Sequence, residues 1–377
     1  MALDGDGAGK PIRVLWLSKG LGPGGAERLL LSFARAGDQR RFAFHAAHLL
    51  PGKSQLAEPL RAAGIDVTCL DGPQIADLRW LGRFRSLLLR ERIDVVHVHS
   101  PLVAAFVRPV VMTVRPRPAL VSTAHNMWPS FHVATRALDR LTASLDDHLF
   151  SVSEPVHDSL PGRLRVRSEV LVHGVDVNEI EQRRKERDHG RAALGVEGKR
   201  VVLAVANLRA DKDYPNLFDA AERVLGDHDD VVFLAIGQGQ MEAELRTDLA
   251  RRGLGDRFRM LGYQEDPIRH LVAADVFTLA SRHEGLPISL LEALAAGLPA
   301  AVTAVGGVPD VITDGVEGRL VPSQDPTALA EAISELLEPE TCARMSAAAS
   351  ERARDFGIVR AVERQQAVYE QLAARRG

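Results

Sequence analysis

Short apolar runs alternate with helical patterns along this chain, and the alternation starts a second time after residue 176. A strand buried on both faces reads as a continuous apolar run, and a helix must then carry the chain back to the same sheet edge, so this rhythm predicts parallel α/β architecture. In the first half IRVLWLS, FAFHAAHLL, IDVTCL, IDVVHVH, ALVSTAH and DHLFSVS are expected strands, with helices near 25–36, 54–63, 78–92, 101–114, 132–144 and 154–160. The charged segment EIEQRRKERDHGRAALGVEGKR separates them from a second set, VVLAVAN, VVFLAIG, FRMLG, ADVFTLA and PAAVTA. Two doubly wound domains follow, over 1–176 and 177–355. Residues 356–377 read as a last helix with no strand after it, packing back across the interdomain junction.

With 377 residues, 46% hydrophobic and 26% charged, the chain can bury two cores. Its two cysteines, Cys69 and Cys342, form no C-x-x-C pair, which argues against zinc and fits a reducing, cytoplasmic setting. MALDGDGAGK lacks the apolar stretch of a signal peptide. LVAAFVRPVVMTV is broken by Arg108 and Pro109, and LEALAAGLPAAVTAVGGV by Gly and Pro, so neither reads as a membrane span. The net charge of −3 hides an asymmetry: residues 1–176 carry 22 basic and 17 acidic side chains, and residues 177–377 carry 25 and 33. The basic half suits an anionic partner such as a lipid phosphate, a membrane surface or an acidic glycan. Nucleic acid is not an expected partner, since aromatics are only 5% and no nucleic-acid module is recognisable. LRWLGRFRSLLLRER interleaves Trp80, Leu81, Phe84 and Leu88 with five arginines, as an interfacial helix does. Its place directly before IDVVHVH favours packing on the sheet instead.

After the first strand, KGLGPGGAERLL places Gly20, Gly22 and Gly25 at G-x-G-x-x-G spacing. A dinucleotide site also needs an acid near the end of the second strand to hold the ribose. That strand ends in PGK, and the next acid is Glu58, so no NAD is expected. The loop remains either a tight turn or a set of backbone N–H groups at a helix start, open to phosphate or sugar hydroxyls.

Downstream, SRHEGLPISLLEALAAGLP puts Glu284 at the mouth of an apolar helix and Glu292 inside its second turn. Pro287 suits the first turn, and the N–H groups of Ile288 and Ser289 are then free to face an anion. Two carboxylates and a helix start suit a sugar diphosphate.

These segments, with GGAERLL, DVVHVHS, STAHN, VSEPV, HGVD, VANLRADKDYPNLFDAA, IGQGQMEAEL and GGVPDVI, resemble glycosyltransferase family 4 over nearly the whole chain. The resemblance implies a GT-B fold, two Rossmann-like domains facing across a cleft. The N-terminal domain would hold the acceptor and the C-terminal domain the nucleotide-sugar. It also implies retaining transfer of a hexosyl group from a UDP- or GDP-sugar to a glycan, lipid-linked or small-molecule acceptor, without cofactor or metal. Glu284 would orient the sugar hydroxyls and stabilise positive charge, His125 would position the sugar, and Glu292 would hold the nucleotide ribose. Gly24 and Gly25 would approach the donor phosphates or the acceptor. Gly285, Leu286 and Tyr263 would line the donor site, and Arg209, Lys212 and the Ile288 and Ser289 amides would stabilise the leaving diphosphate.

The chain departs from the family pattern where Ala206-Asn207 replaces Gly-Arg and Asp213 replaces the glycine after Lys212. Asp211-Lys212-Asp213 and Asp4-Gly5-Asp6 match D-x-D, a metal-binding pattern, but Lys212 would compete with a cation for the same diphosphate. His97 is expected to be structural and His283 to belong to loop structure. A nucleotide-sugar binding protein without transfer, and a GT-B epimerase or phosphorylase, are the alternatives.

Overall fold

The computed structural model describes residues 10–22, 24–72 and 77–376, and the tail carrying Asp4-Gly5-Asp6 lies outside them. The chain divides into two units. The first comprises residues up to Val152, His157–Leu171 and the segment from Val359 onward, and the second comprises Ser153–Val156 and Val172–Ile358.

In the first unit seven parallel strands form one sheet: β1 (Ile12–Ser18), β2 (Phe42–His48), β3 (Asp66–Cys69), β4 (Val95–Val98), β5 (Ala119–Ala124), β6 (His148–Ser151) and β7 (Ser168–Val170). Their order is β3-β2-β1-β4-β5-β6-β7. The chain reverses direction between β1 and β4, so the loops leaving these two strands open the crevice where such sheets bind ligands. Helices α1 (Gly25–Ala36), α2 (Arg79–Arg90), α3 (Pro101–Met112), α4 (Val133–Thr142) and the short α5 (Gly162–Arg165) belong to this unit. Trp80, Phe84, Leu87 and Leu88 of α2 are buried, in one cluster with Leu15, Val96 and Leu120 of the sheet. These four large side chains of α2 are therefore spent on the core.

The second unit repeats the plan with β8 (Arg200–Val205), β9 (Val231–Ile236), β10 (Phe258–Gly262), β11 (Val276–Leu279), β12 (Ala300–Thr303) and β13 (Gly318–Val321), again all parallel, in the order β10-β9-β8-β11-β12-β13. Its crossing point lies between β8 and β11. Helix α6 (Tyr214–Asp227) follows β8, and α7 (Ile288–Ala295) follows β11.

Strands β7 and β13 add one strand to each predicted set. Both are sheet-edge strands, SEV and GRLV, with half-exposed residues, so neither makes an apolar run. Gly318 is required where β13 meets β12, because a Cβ there would lie 2.0 Å from the Ala300 carbonyl oxygen.

The last helix, α8 (Ile358–Ala374), belongs to the first unit from Val359 onward. Its Tyr369 is fully buried, and the hydroxyl accepts from Trp16 Nε1 at 3.3 Å and Gln365 Nε2 at 2.6 Å and meets His97 Nδ1 at 2.5 Å. Among the described residues no helix is long and apolar enough to cross a membrane.

Candidate active site

The two loops flanking the crossing point of the second sheet carry a bonded group of charged and polar side chains. Lys212 follows β8 and Glu284 follows β11, and Lys212 Nζ donates to both Glu284 oxygens at 2.6 Å. Ser281 Oγ adds a third hydrogen bond to Glu284 Oε1 at 2.6 Å. Glu284 is only 7% exposed, and a carboxylate can be buried so deeply only with a cation and hydrogen bonds round it.

The Glu284 backbone is fixed as firmly as its side chain. Gly306 has φ +54, and a Cβ there would fall 1.9 Å from the Glu284 carbonyl oxygen, so the β12 loop can pass over Glu284 only with glycine. The Gly285 carbonyl accepts from Gly307 N at 2.8 Å and Ser153 Oγ at 3.2 Å. Thr303 Oγ1 donates to the Ser281 carbonyl at 2.7 Å.

Asp213 has φ +47, in the left-handed region that glycine favours and aspartate tolerates better than most residues. This accounts for the departure at this position: the backbone keeps a glycine-like turn, and the added carboxylate gains a partner. Arg282 Nε and Nη2 donate to Asp213 at 2.7 and 2.8 Å, and Arg282 N donates to the Asp211 carbonyl at 2.8 Å. The two loops are thus joined three ways, by Lys212 with Glu284, by Asp213 with Arg282, and by the Arg282 amide on the Asp211 carbonyl. With Asp213 bound to Arg282, Asp211-Lys212-Asp213 does not present a free pair of carboxylates. Among the described residues no group of three or more His, Cys, Asp or Glu is placed to hold a metal ion.

Helix α7 begins at Ile288 with Pro287 as its N-cap, so the Ile288 and Ser289 amides lie in its first turn. Gly285 is buried and Leu286 half-buried on the way into the helix, and Glu292 is 9% exposed one turn in. Tyr263 is half-buried directly after β10. Arg209 is exposed at the start of the Lys212 turn, and its side chain has no bond to the Lys212 and Glu284 pair. The structure therefore brings Lys212 and Glu284 together with Ser281, Asp213 and Arg282. It leaves Arg209 and Tyr263 outside that bonded group.

His125 and the glycines belong to the first unit. Gly24 is the N-cap of α1 and Gly25 its first residue, and a Cβ at Gly24 would lie 2.2 Å from Glu27 Oε2. Strand β2 ends at His48, whose Nδ1 meets the Leu50 carbonyl, and no acid stands there for a ribose. His125 directly follows β5 and its Nε2 lies 3.1 Å from His99 Nδ1, after β4. His97 is fully buried between Tyr369 and Thr123, whose Oγ1 lies 2.6 Å from His97 Nε2. That is a structural position, and His283 is exposed in its loop.

Ser281, Arg282, Gly306 and Ser153 were not singled out as site residues in the sequence. Ser281 and Arg282 stand within three residues of Glu284, but serine and arginine in a loop carry no signal of their own. Gly306 lies in the family segment GGVPDVI and Ser153 in VSEPV, both visible only through the resemblance.

Burial holds the His125 pKa down at about 4. A histidine kept neutral by folding stabilises the native state fully above its unfolded pKa of 6.5, and that stability is lost as pH falls from 6.5 towards 4. Discounted for partial exposure, urea denaturation should find wild type about 1–2 kcal/mol less stable near pH 5 than near pH 7.5 through His125 alone. His125→Gln should remove that part of the slope. Parallel pH profiles for the two proteins would show that His125 titrates ordinarily.

Two family models divide the chain between them, Glycosyltransferase Family 4 over residues 23–179 and Glycosyl transferases group 1 over residues 186–355. D-inositol 3-phosphate glycosyltransferase of Saccharomonospora viridis is 31% identical over 79% of this chain and 70% of its own length. An Escherichia coli enzyme, UDP-Gal:alpha-D-GlcNAc-diphosphoundecaprenol alpha-1,3-galactosyltransferase, is 24% identical over 85% of this chain and 86% of its own. Two parallel doubly wound sheets, with these matches, define a nucleotide-sugar glycosyltransferase. The chain belongs to glycosyltransferase family 4. HepE of Anabaena, solved with UDP and glucose, has the same GT-B fold, with TM-score 0.82 and 20% identity over 96% of this chain and 99% of its own.

Proposed function

We propose that this protein is a retaining, metal-independent hexosyltransferase acting on a nucleoside diphosphate sugar, with uridine as the nucleoside. The acceptor is a hydroxyl of a glycan, lipid-linked or small-molecule substrate. The observation that carries this reading is the ion pair of half-buried Lys212 with buried Glu284 beside the start of α7. Lys212 and the first amides of α7 supply the positive potential that a departing diphosphate needs, the work a divalent ion would otherwise do. Arg209, exposed beside them, adds to it, and Tyr263 completes the wall. A donor diphosphate draws Lys212 from Glu284, and the released carboxylate turns to the sugar hydroxyls and to the positive charge that grows at the anomeric carbon. Gly285 and Leu286 shape the approach, and Glu292 holds the ribose. The acceptor hydroxyl attacks the face that the diphosphate leaves, and a departing phosphate oxygen takes its proton. In the first unit, the family resemblance assigns His125 to the sugar, and the Gly24 and Gly25 backbone to phosphate or acceptor. UDP in HepE and UDP-Gal in the name of the Escherichia coli relative favour uridine over guanosine.

Donor turnover should persist in excess EDTA, because the cation needed is built into the chain. Loss of turnover in EDTA, restored by Mn2+ or Mg2+, overturns the metal-independent mechanism. Thermal shifts with UDP-, GDP- and ADP-sugars identify the base.

A further inference from the structure

Helix α4 is amphipathic the wrong way round. At 100° per residue Val133, Ala134, Ala137, Leu138 and Leu141 fall in one arc of about 140°. All five are exposed: Val133 by 63%, Leu138 by 39% and Leu141 by 78%. The one buried residue of the helix is Asp139, on the opposite side, where Arg108 Nη1 donates to its carboxylate at 2.5 Å. A helix on a soluble surface ordinarily turns its apolar arc inward. This one is attached through a charge and presents the apolar arc outward.

The surroundings add mostly positive charge. Arg140 borders the arc, and α5 with the residues after it contributes exposed Arg163, Arg165 and Arg167 around Val166, itself 87% exposed. The two segments are neighbours, since Leu164 of α5 lines the same small cavity as Phe131 and Ala143 on either side of α4. The exposed acids close to them in sequence are Asp158, next to His157, and Glu154, which belongs to the second unit, while Glu169 is half-buried and paired with Arg364. Asp139 and Asp146 are buried on Arg108, and Asp147 is held by Arg117 and Arg376.

We infer that the α4 and α5 face of the first unit docks on an anionic lipid surface. Leu141, Leu138, Val133 and Val166 enter the headgroup boundary, and the flanking arginines pair with lipid phosphates. An apolar arc bordered by arginines has the chemistry of an interfacial helix, in which apolar burial and attraction to anionic lipid act together. It is not the helix whose sequence suggested such a contact: α2 buries its Trp80, Phe84, Leu87 and Leu88 in the core, whereas α4 exposes its apolar arc. Because α4 follows β5, docking carries the β5 end with His125 to the lipid surface. The inference does not depend on the donor chemistry proposed above.

The full-length protein is sedimented with phosphatidylcholine vesicles, with and without about one-third phosphatidylglycerol. Wild type should bind the anionic vesicles, release them as salt rises, and bind neutral ones much less. Leu141→Asp, and separately Arg140→Glu with Arg163→Glu and Arg165→Glu, should each weaken binding by about tenfold or more. Circular dichroism should remain unchanged, since all four residues are exposed. No binding by wild type, equal binding to neutral vesicles, or full binding by folded variants overturns the inference. So does light scattering that finds a dimer broken by Leu141→Asp, because the arc is then covered by a second copy.

Discussion

Glu284→Gln is expected to lower kcat by roughly 10²-fold or more, with little change in donor KM. In the proposed mechanism Glu284 meets a sugar that becomes positively charged only in the transition state, so neutralising it removes stabilisation that the ground state never had. The amide must also turn its NH2 away from Lys212 Nζ, which now meets both oxygens at 2.6 Å. Glu292→Gln should behave differently, because the ribose changes little during transfer. Its expected effect is a donor KM raised by the equivalent of roughly 1–3 kcal/mol, with kcat nearly kept. Steady-state kinetics on both folded variants decides the matter. A near-normal kcat for Glu284→Gln, with loss of turnover but not of donor affinity for Glu292→Gln, would reverse the two roles.

Arg108→Met should destabilise the protein by about 3–5 kcal/mol, a large fraction of the stability of a typical domain. Arg108 is 2% exposed on α3 and binds two carboxylates at once, Asp146 through Nε and Nη2 at 2.8 and 2.7 Å and Asp139 through Nη1 at 2.5 Å. Burial opposes the charge on its guanidinium, and Asp146 and Asp139 more than offset that, leaving its pKa raised. Methionine fills much of the same space but leaves both acids without a cation. Most of the cost comes from those stranded charges rather than from a favourable ion pair lost. Adding Asp139→Asn and Asp146→Asn to Arg108→Met should therefore recover most of the loss in urea denaturation. A triple variant no more stable than Arg108→Met would instead attribute the loss to packing.

The sheets were legible because strands buried on both faces must be written as apolar runs; IRVLWLS and FRMLG even have the predicted ends. Edge strands β7 and β13 escape that rule. In the second unit, the resemblance located Lys212 and Glu284, and the glutamate spacing round a helix start gave an independent reason to look there. Nothing in the linear pattern could reveal Arg282 on Asp213, because that bond joins loops separated by a whole βαβ crossover and more. Arg108 was visible only as a break in LVAAFVRPVVMTV, evidence against a membrane span. Its two acids lie far along the chain. Helix 133–142 was legible as a helix, but a periodic stripe does not say which way it faces, and here Asp139 rather than the leucines turns inward.

The return of α8 to the first unit bears on how the protein is made. As the chain leaves the ribosome, β1 through β7 emerge first, yet Tyr369, which meets both Trp16 and His97, emerges only after the whole second unit. The second unit, nearly all of it one continuous stretch from Val172 to Ile358, can close while the first still lacks a piece. The usual order, in which the leading domain folds first, is thereby inverted for completion. A premature stop anywhere before Val359 leaves the His97 and Trp16 side of the first sheet uncovered, so truncated products carry an open core that quality-control proteases can recognise.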